Sequence, residues 1–186
     1  MSVLKKPPLM KFFLAAYSGD PGFMDEGVLA LARGFEGGIL GEPDIQSRDI
    51  PMTDTDYYTP EMGPGLMKRY LSFPNHLPPE ALVDLKLWAM EEERRGAVNG
   101  KRRLNLDPGY VFSGGLVLST GKFSGHRLYL GRGVWGELTL LYRDKSFRAL
   151  PWSYKDYLTR EVTETLSRMR AIYFEKEKQE KLNRHD

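Results

Sequence analysis

Residues 104–143 contain four short apolar runs, at 104–111, 116–122, 126–130 and 135–143, separated by glycine, proline and polar turn formers. This is the pattern of consecutive strands joined by tight connections. The same stretch is dense in groups that can do chemistry: Asp107, Tyr110, Ser119, Thr120, Lys122, His126, Arg127, Tyr129, Arg132 and Glu137. One sheet is therefore expected to carry most of the core and most of the candidate site.

The chain has 186 residues, enough for one well-packed domain and short for two. It contains no cysteine, which excludes disulfides and thiolate metal ligands and suits a cytoplasmic, reducing environment. The apolar run at 10–17 is too short to span a membrane. The formal net charge of +2 hides an asymmetry. Residues 1–93 hold 8 Lys/Arg against 15 Asp/Glu, a balance of −7, whereas residues 94–186 hold 19 against 10, a balance of +9. The two halves attract each other in one fold, or the basic half offers a face to a phosphate or polyanion.

Along the chain, residues 10–17 read as a central strand. Asp20 and Pro21 start a helix as its cap and first residue. Val28, Leu29, Leu31 and Ala32 give it a buried stripe, and Gly34 is expected to end it in a left-handed conformation. A short strand is expected over 47–52, then a rigid loop over 53–65 with paired acids, paired tyrosines and a Gly-Pro-Gly turn. Residues 70–73 read as a strand. Pro78 and Pro79 open a helix with apolar positions Leu82, Leu85, Trp88 and Ala89. After the strand block, which extends to a fifth strand near 147–150, Thr159 caps a last helix. Leu158, Val162, Leu166, Met169 and Tyr173 form its stripe. The expected class is α+β (mixed α/β). A mostly antiparallel mixed sheet has two to three helices packed mainly on one face, in a single domain over 1–174. Residues 175–186 read as a charged, frayed helix extension.

Strand alternation sorts the candidate side chains. If Leu128, Leu130, Leu138, Leu140 and Tyr142 face the core, then Arg127, Tyr129, Glu137 and Thr139 face away from it. A hairpin loop at 131–135 sets Tyr129 opposite Glu137 and lets Glu137 meet Arg127 diagonally. His126 shares the parity of Leu128 and points inward. Asp107, in Asp-Pro-Gly, sits in a β-turn or at a pocket rim. Asp107, His126 and Glu137 are the acid–base candidates. The ligand-binding candidates are Asp56, Tyr57, Tyr58, Glu61, Tyr110, Lys122, Arg127, Tyr129 and Arg132. The three histidines have no paired spacing, so no metal site is read. Between Gly115 and Gly121-Lys122 five residues intervene where a P-loop has four, and Phe123 stands where it needs a hydroxyl.

Several motifs resemble, in order, a bacterial family of unknown function, DUF4416. They are Asp56-Tyr57-Tyr58, Glu61-Met62-Gly63-Pro64-Gly65-Leu66, Leu85-Lys86-Leu87-Trp88, Asn105-Leu106-Asp107-Pro108-Gly109-Tyr110, His126-Arg127-Leu128-Tyr129-Leu130-Gly131, Glu137-Leu138-Thr139-Leu140 and Pro151-Trp152. The resemblance covers residues 6–170. Its members are often labelled GTP-binding proteins, and it implies no cofactor and no catalytic residue. The chain has no Asn-Lys-x-Asp motif to read guanine.

Two functional readings follow. In one, a nucleotide or other phosphorylated small molecule binds in a cleft between the 53–65 loop and the 104–143 sheet. In the other, the chain is a non-catalytic module for a protein or RNA partner, although it carries no recognised nucleic-acid motif.

Overall fold

The computed structural model describes residues 3–53 and 57–182. β1 (Met10–Ser18) runs through the middle of the sheet and is buried along its whole length. Phe12, Leu14 and Ala16 enter the core on one face, and Phe13 and Ala15 enter the core on the other. α1 (Pro21–Gly34) begins as its sequence dictates: the Asp20 carboxylate accepts a 3.1 Å hydrogen bond from the Phe23 amide. Its end differs from expectation. Gly34 is right-handed (φ −82°, ψ −34°), and the left-handed residues are Glu36, Gly37 and Gly38. Gly34 is instead a point of close packing, because a Cβ there would stand 3.0 Å from the Trp88 ring.

Two short strands, β2 (Ile45–Gln46) and β3 (Ile50–Pro51), replace the single strand expected over 47–52. After the one-turn α2 (Thr59–Met62), β4 (Met67–Leu77) runs longer than the expected strand. α3 (Ala81–Arg95) buries Leu82, Leu85 and Ala89. The strand block then appears as β5 (Leu104–Phe112), β6 (Gly115–Thr120), β7 (Leu128–Gly131), β8 (Val134–Arg143) and β9 (Ser146–Ala149). α4 (Arg160–Leu182) follows Thr159, whose Oγ1 accepts from the Val162 amide at 3.4 Å. Val162, Leu166, Met169 and Tyr173 are buried, while Leu158 ends the preceding 3₁₀ turn and is exposed.

The strands form one sheet in the order β2-β4-β1-β5-β6-β8-β7, with β3 beside β4 and β9 beside β8. The pairings are antiparallel. Residues of α1 and α3 join the core on one face, and α4 supplies Val162, Leu166 and Met169 to the other. The fold is α+β, with two of its three long helices sharing a face.

Two irregularities shape the site. First, β5 and β6 pair only through Gly109–Phe112 of β5. Pro108 has no N–H to extend the ladder. Asp107-Pro108-Gly109 therefore lies inside a strand, not in a turn. Along the open edge the Leu106 carbonyl accepts from Lys86 Nζ at 3.0 Å, and its amide donates to Glu93 Oε1 at 2.8 Å. Helix side chains thus satisfy strand groups that a neighbouring strand would otherwise take. Second, Leu116 faces Leu140 while Val117 faces Leu138, so β8 holds one extra residue at Thr139. A bulge of this kind reverses the alternation beyond it.

Candidate functional site

Where β5 and β6 part, a cavity of about 660 Å³ opens on the face of the sheet covered by α4. Register builds its strand side: Tyr17 lies opposite Lys68, and Ala15 lies between Tyr70 and Asp107. Residues 50–53, Tyr57 and Tyr58 close one side, and residues 153–157 close another.

Lys68 is the buried cation of this cavity. Its Nζ lies 2.6 Å from Asp156 Oδ2 and 5.0–5.8 Å from the ring centres of Tyr17, Tyr70 and Tyr157. A carboxylate and three ring faces together replace the water that the ammonium loses. Burial opposes ionisation of Asp156, but the Lys68 charge and hydrogen bonds from Lys68, Tyr70 and the Tyr157 amide prevail. They hold its carboxyl below the usual carboxylate range. Burial, reinforced by the charge of Asp107 and by Tyr58, raises the Tyr17 phenol far above its ordinary value. Burial also raises Tyr70 and Tyr157.

At the mouth, Lys122 Nζ donates to the Tyr57 hydroxyl at 2.8 Å. That bond lowers the Tyr57 phenol and raises the Lys122 ammonium. Tyr58 packs on Tyr17 with ring centres 4.8 Å apart. Asp107 is fixed from two sides: Oδ1 is 3.0 Å from Lys86 Nζ, and Oδ2 accepts from Asn105 at 2.9 Å. The sheet thus brings Tyr57, Tyr58, Asp107 and Lys122 to one cavity.

His126, Arg127 and Glu137 form a second cluster beside it. Glu137 is 3% exposed and lies directly across from the cavity residue Leu118. Its Oε2 accepts from His126 Nε2 at 2.9 Å and from Arg127 Nε at 2.8 Å. The expected Glu137–Arg127 meeting is present, but the register differs: Tyr129 stands opposite Trp135, and the hairpin loop is the two-residue Arg132-Gly133. The bulge at Thr139 puts Glu137 on the buried face with Leu140, whereas Leu128 and Leu130 are exposed. Cavity and cluster meet at Tyr154, whose phenol is raised by burial and by the Glu137 charge.

Other candidates lie elsewhere. Tyr110 packs on Phe12 and Phe112, toward the α1–α3 side of the sheet. Tyr129 is exposed on β7, and Arg132 is paired with Asp84 of α3. Glu61 does not line the cavity, but it makes a two-point pair with Arg102 at 2.6 and 2.7 Å that ties the double-tyrosine turn to the segment leading into β5. Asp56 lies outside the described residues. Among the described residues no group of three or more His, Asp or Glu is arranged to hold a metal ion, and no helix is long and apolar enough to cross a membrane.

The family model for the domain of unknown function DUF4416 matches residues 20–173. The chain belongs to this family. The match spans α1 into α4 and takes in every cavity-lining residue except Tyr17. No curated protein and no solved structure matches the chain.

The part of this DUF4416 site that sequence reading missed is the buried set Tyr17, Lys68, Tyr70 and Tyr157, with Asp156 and the exposed Tyr154 beside it. One signal was present. Lys68 and Tyr70 alternate on a strand, so a central position for that strand sends a lysine and a tyrosine into the same interior. The partner of that lysine is 88 residues away, where no local pattern points to it.

Proposed function

We propose that this domain binds a phosphorylated small molecule, such as a nucleotide, in the cavity between the double-tyrosine turn and the 104–143 sheet. One observation carries this reading: three lysines (Lys68, Lys122 and Lys155) and six tyrosines line a single cavity. Its volume of about 660 Å³ suits a small ligand. Lys122 and Lys155 supply charge for the anionic group. The Tyr57 and Tyr58 rings supply flat apolar surface for a base or sugar. Asp107, held by Lys86 and Asn105, is the acid–base candidate on the cavity wall. Arg127 acts from behind, donating to the Lys122 carbonyl at 2.9 Å and so orienting the Lys122 loop. The cysteine-free sequence fits a cytosolic setting.

The test is a thermal-shift series with nucleotides and phosphosugars, followed by calorimetry on any compound that raises the melting temperature. At a hundred times its Kd, a site-specific ligand adds about 2.7 kcal/mol to stability. Lys122→Ala should abolish the shift while leaving the unliganded melting temperature in place. A flat response to every phosphorylated compound would remove this reading. The interaction-module reading then rests on β7, whose Leu128, Tyr129 and Leu130 are 75%, 59% and 42% exposed on an edge strand.

A further inference from the structure

Beside the cavity, and independent of what occupies it, three side chains form a continuous hydrogen-bonded line. Ser124 Oγ is 3.1 Å from His126 Nδ1, and His126 Nε2 is 2.9 Å from Glu137 Oε2. The chemistry of the groups fixes the direction of the bond to Glu137. Glu137 is buried and paired with Arg127, so its carboxylate accepts. His126 Nε2 therefore carries a hydrogen, and in the neutral ring Nδ1 is the acceptor that faces the Ser124 hydroxyl. In that state the order of donors and acceptors matches a serine nucleophile's relay, with the roles of the two ring nitrogens exchanged relative to the chymotrypsin arrangement.

We propose that Ser124 is an activated nucleophile and that this corner of the domain hydrolyses small carboxylic esters. The imidazole is held for the task. It stacks on Trp152 at 4.8 Å and 14°, and the Trp152 indole is pinned by a 2.9 Å bond to the Leu138 carbonyl. Glu137 is a positioning residue that acts through His126. Ser124 and His126 are both partly exposed, so a substrate can reach them. Phe123, 74% exposed and adjacent to Ser124 in sequence, offers apolar surface to an acyl group. Arg127 bonds through Nε to the same Glu137 oxygen that His126 meets, and its positive charge beside the pair favours a developing oxyanion.

In the reaction, Ser124 Oγ attacks the ester carbonyl carbon as its proton passes to His126 Nδ1. The ester C–O bond breaks, and the alcohol leaves with that proton. A water molecule, giving a proton to the same nitrogen, then cleaves the acyl-serine. The products are a carboxylic acid and restored Ser124.

The experiment uses the full chain with a fluorophosphonate probe and p-nitrophenyl butyrate. The expected result is one covalent adduct per chain, mapped by peptide mass to Ser124 and absent in Ser124→Ala. His126→Gln should lower the labelling rate roughly a hundredfold. Glu137→Gln should lower the limiting rate with little change in the half-saturating probe concentration. Circular dichroism of each variant separates loss of reactivity from loss of folding, and Ser124→Ala, partly exposed and small, keeps the question answerable if the Glu137 variant fails to fold. No adduct at Ser124 under conditions that label a control serine hydrolase, or equal labelling in His126→Gln, would overturn the proposal and leave the Ser124–His126 bond as a turn contact. Either result leaves the phosphate-ligand reading where it stands.

Discussion

Lys68 and Asp156 meet at 2.6 Å in the wall of the cavity, with 11% and 28% of their side chains exposed. Neither ion is well placed without the other. Lys68→Met strands a carboxylate among tyrosine rings and should destabilise the fold by about 3 kcal/mol in urea unfolding. Pairing Lys68→Met with Asp156→Asn should recover most of that loss, because the double variant buries no uncompensated charge. A double variant whose loss equals the sum of the two single losses would show that the pair is not coupled.

Gly109 marks where β5 comes closest to its neighbours. A Cβ there would stand 2.3 Å from the Val117 carbonyl oxygen and 2.6 Å from the Phe13 ring. Neither can give way cheaply, since one is backbone and the other is a fully buried aromatic. Gly109→Ala should therefore cost about 3 kcal/mol, measured by denaturant unfolding. Gly100→Ala, with open space around it, should cost less and only through its left-handed backbone (φ +73°).

These two sites show what the sequence could and could not reveal. The strand block was readable because apolar alternation and turn residues are local signals, and the start of α1 was readable because a cap and a proline act within one turn. The face of Glu137 was not, because the extra residue at Thr139 leaves no mark in the composition of β8 and inverts the parity on which the reading depended. Gly34 misled for a related reason: glycine serves both left-handed turns and close packing, and only the position of Trp88 decides between them. The buried half of the cavity was hidden because β4 and the 153–157 segment meet only in three dimensions. By contrast, Tyr57, Tyr58, Asp107 and Lys122 were all named and all line the cavity.

The Tyr57–Lys122 contact predicts a spectroscopic signature. The ammonium bonded to the Tyr57 hydroxyl favours its phenolate, so this phenol should ionise below its ordinary value of 10.0. In a difference titration of phenolate absorbance, wild type minus Tyr57→Phe should show one tyrosine titrating early. Lys122→Ala should move that step back up. A saturating phosphorylated ligand that takes Lys122 away should do the same, which makes the titration a second readout for the proposed cavity ligand. An unchanged step in Lys122→Ala would mean that the contact does not persist in solution.

His76 predicts an acid limb of stability. It is 7% exposed, its ring stacks on Tyr173 at 5.9 Å, and its Nε2 has no hydrogen-bond partner among the described residues. Burial, helped by the charges of Lys176 and Lys11 and opposed by Asp44, lowers its pKa from 6.5 to about 4. Between those two values the unfolded chain holds a proton on this ring that the folded chain refuses. Stability from the neutral ring is therefore complete above pH 6.5 and falls away as pH drops toward 4, by up to about 3 kcal/mol. His76→Phe keeps the stacking and removes the titration. Urea unfolding across this range should show a declining stability in wild type and a flatter profile in the variant, with the two curves converging or crossing in acid. Parallel curves would place the acid sensitivity elsewhere, in the Asp44 and Asp156 carboxylates that Lys11 and Lys68 hold ionised.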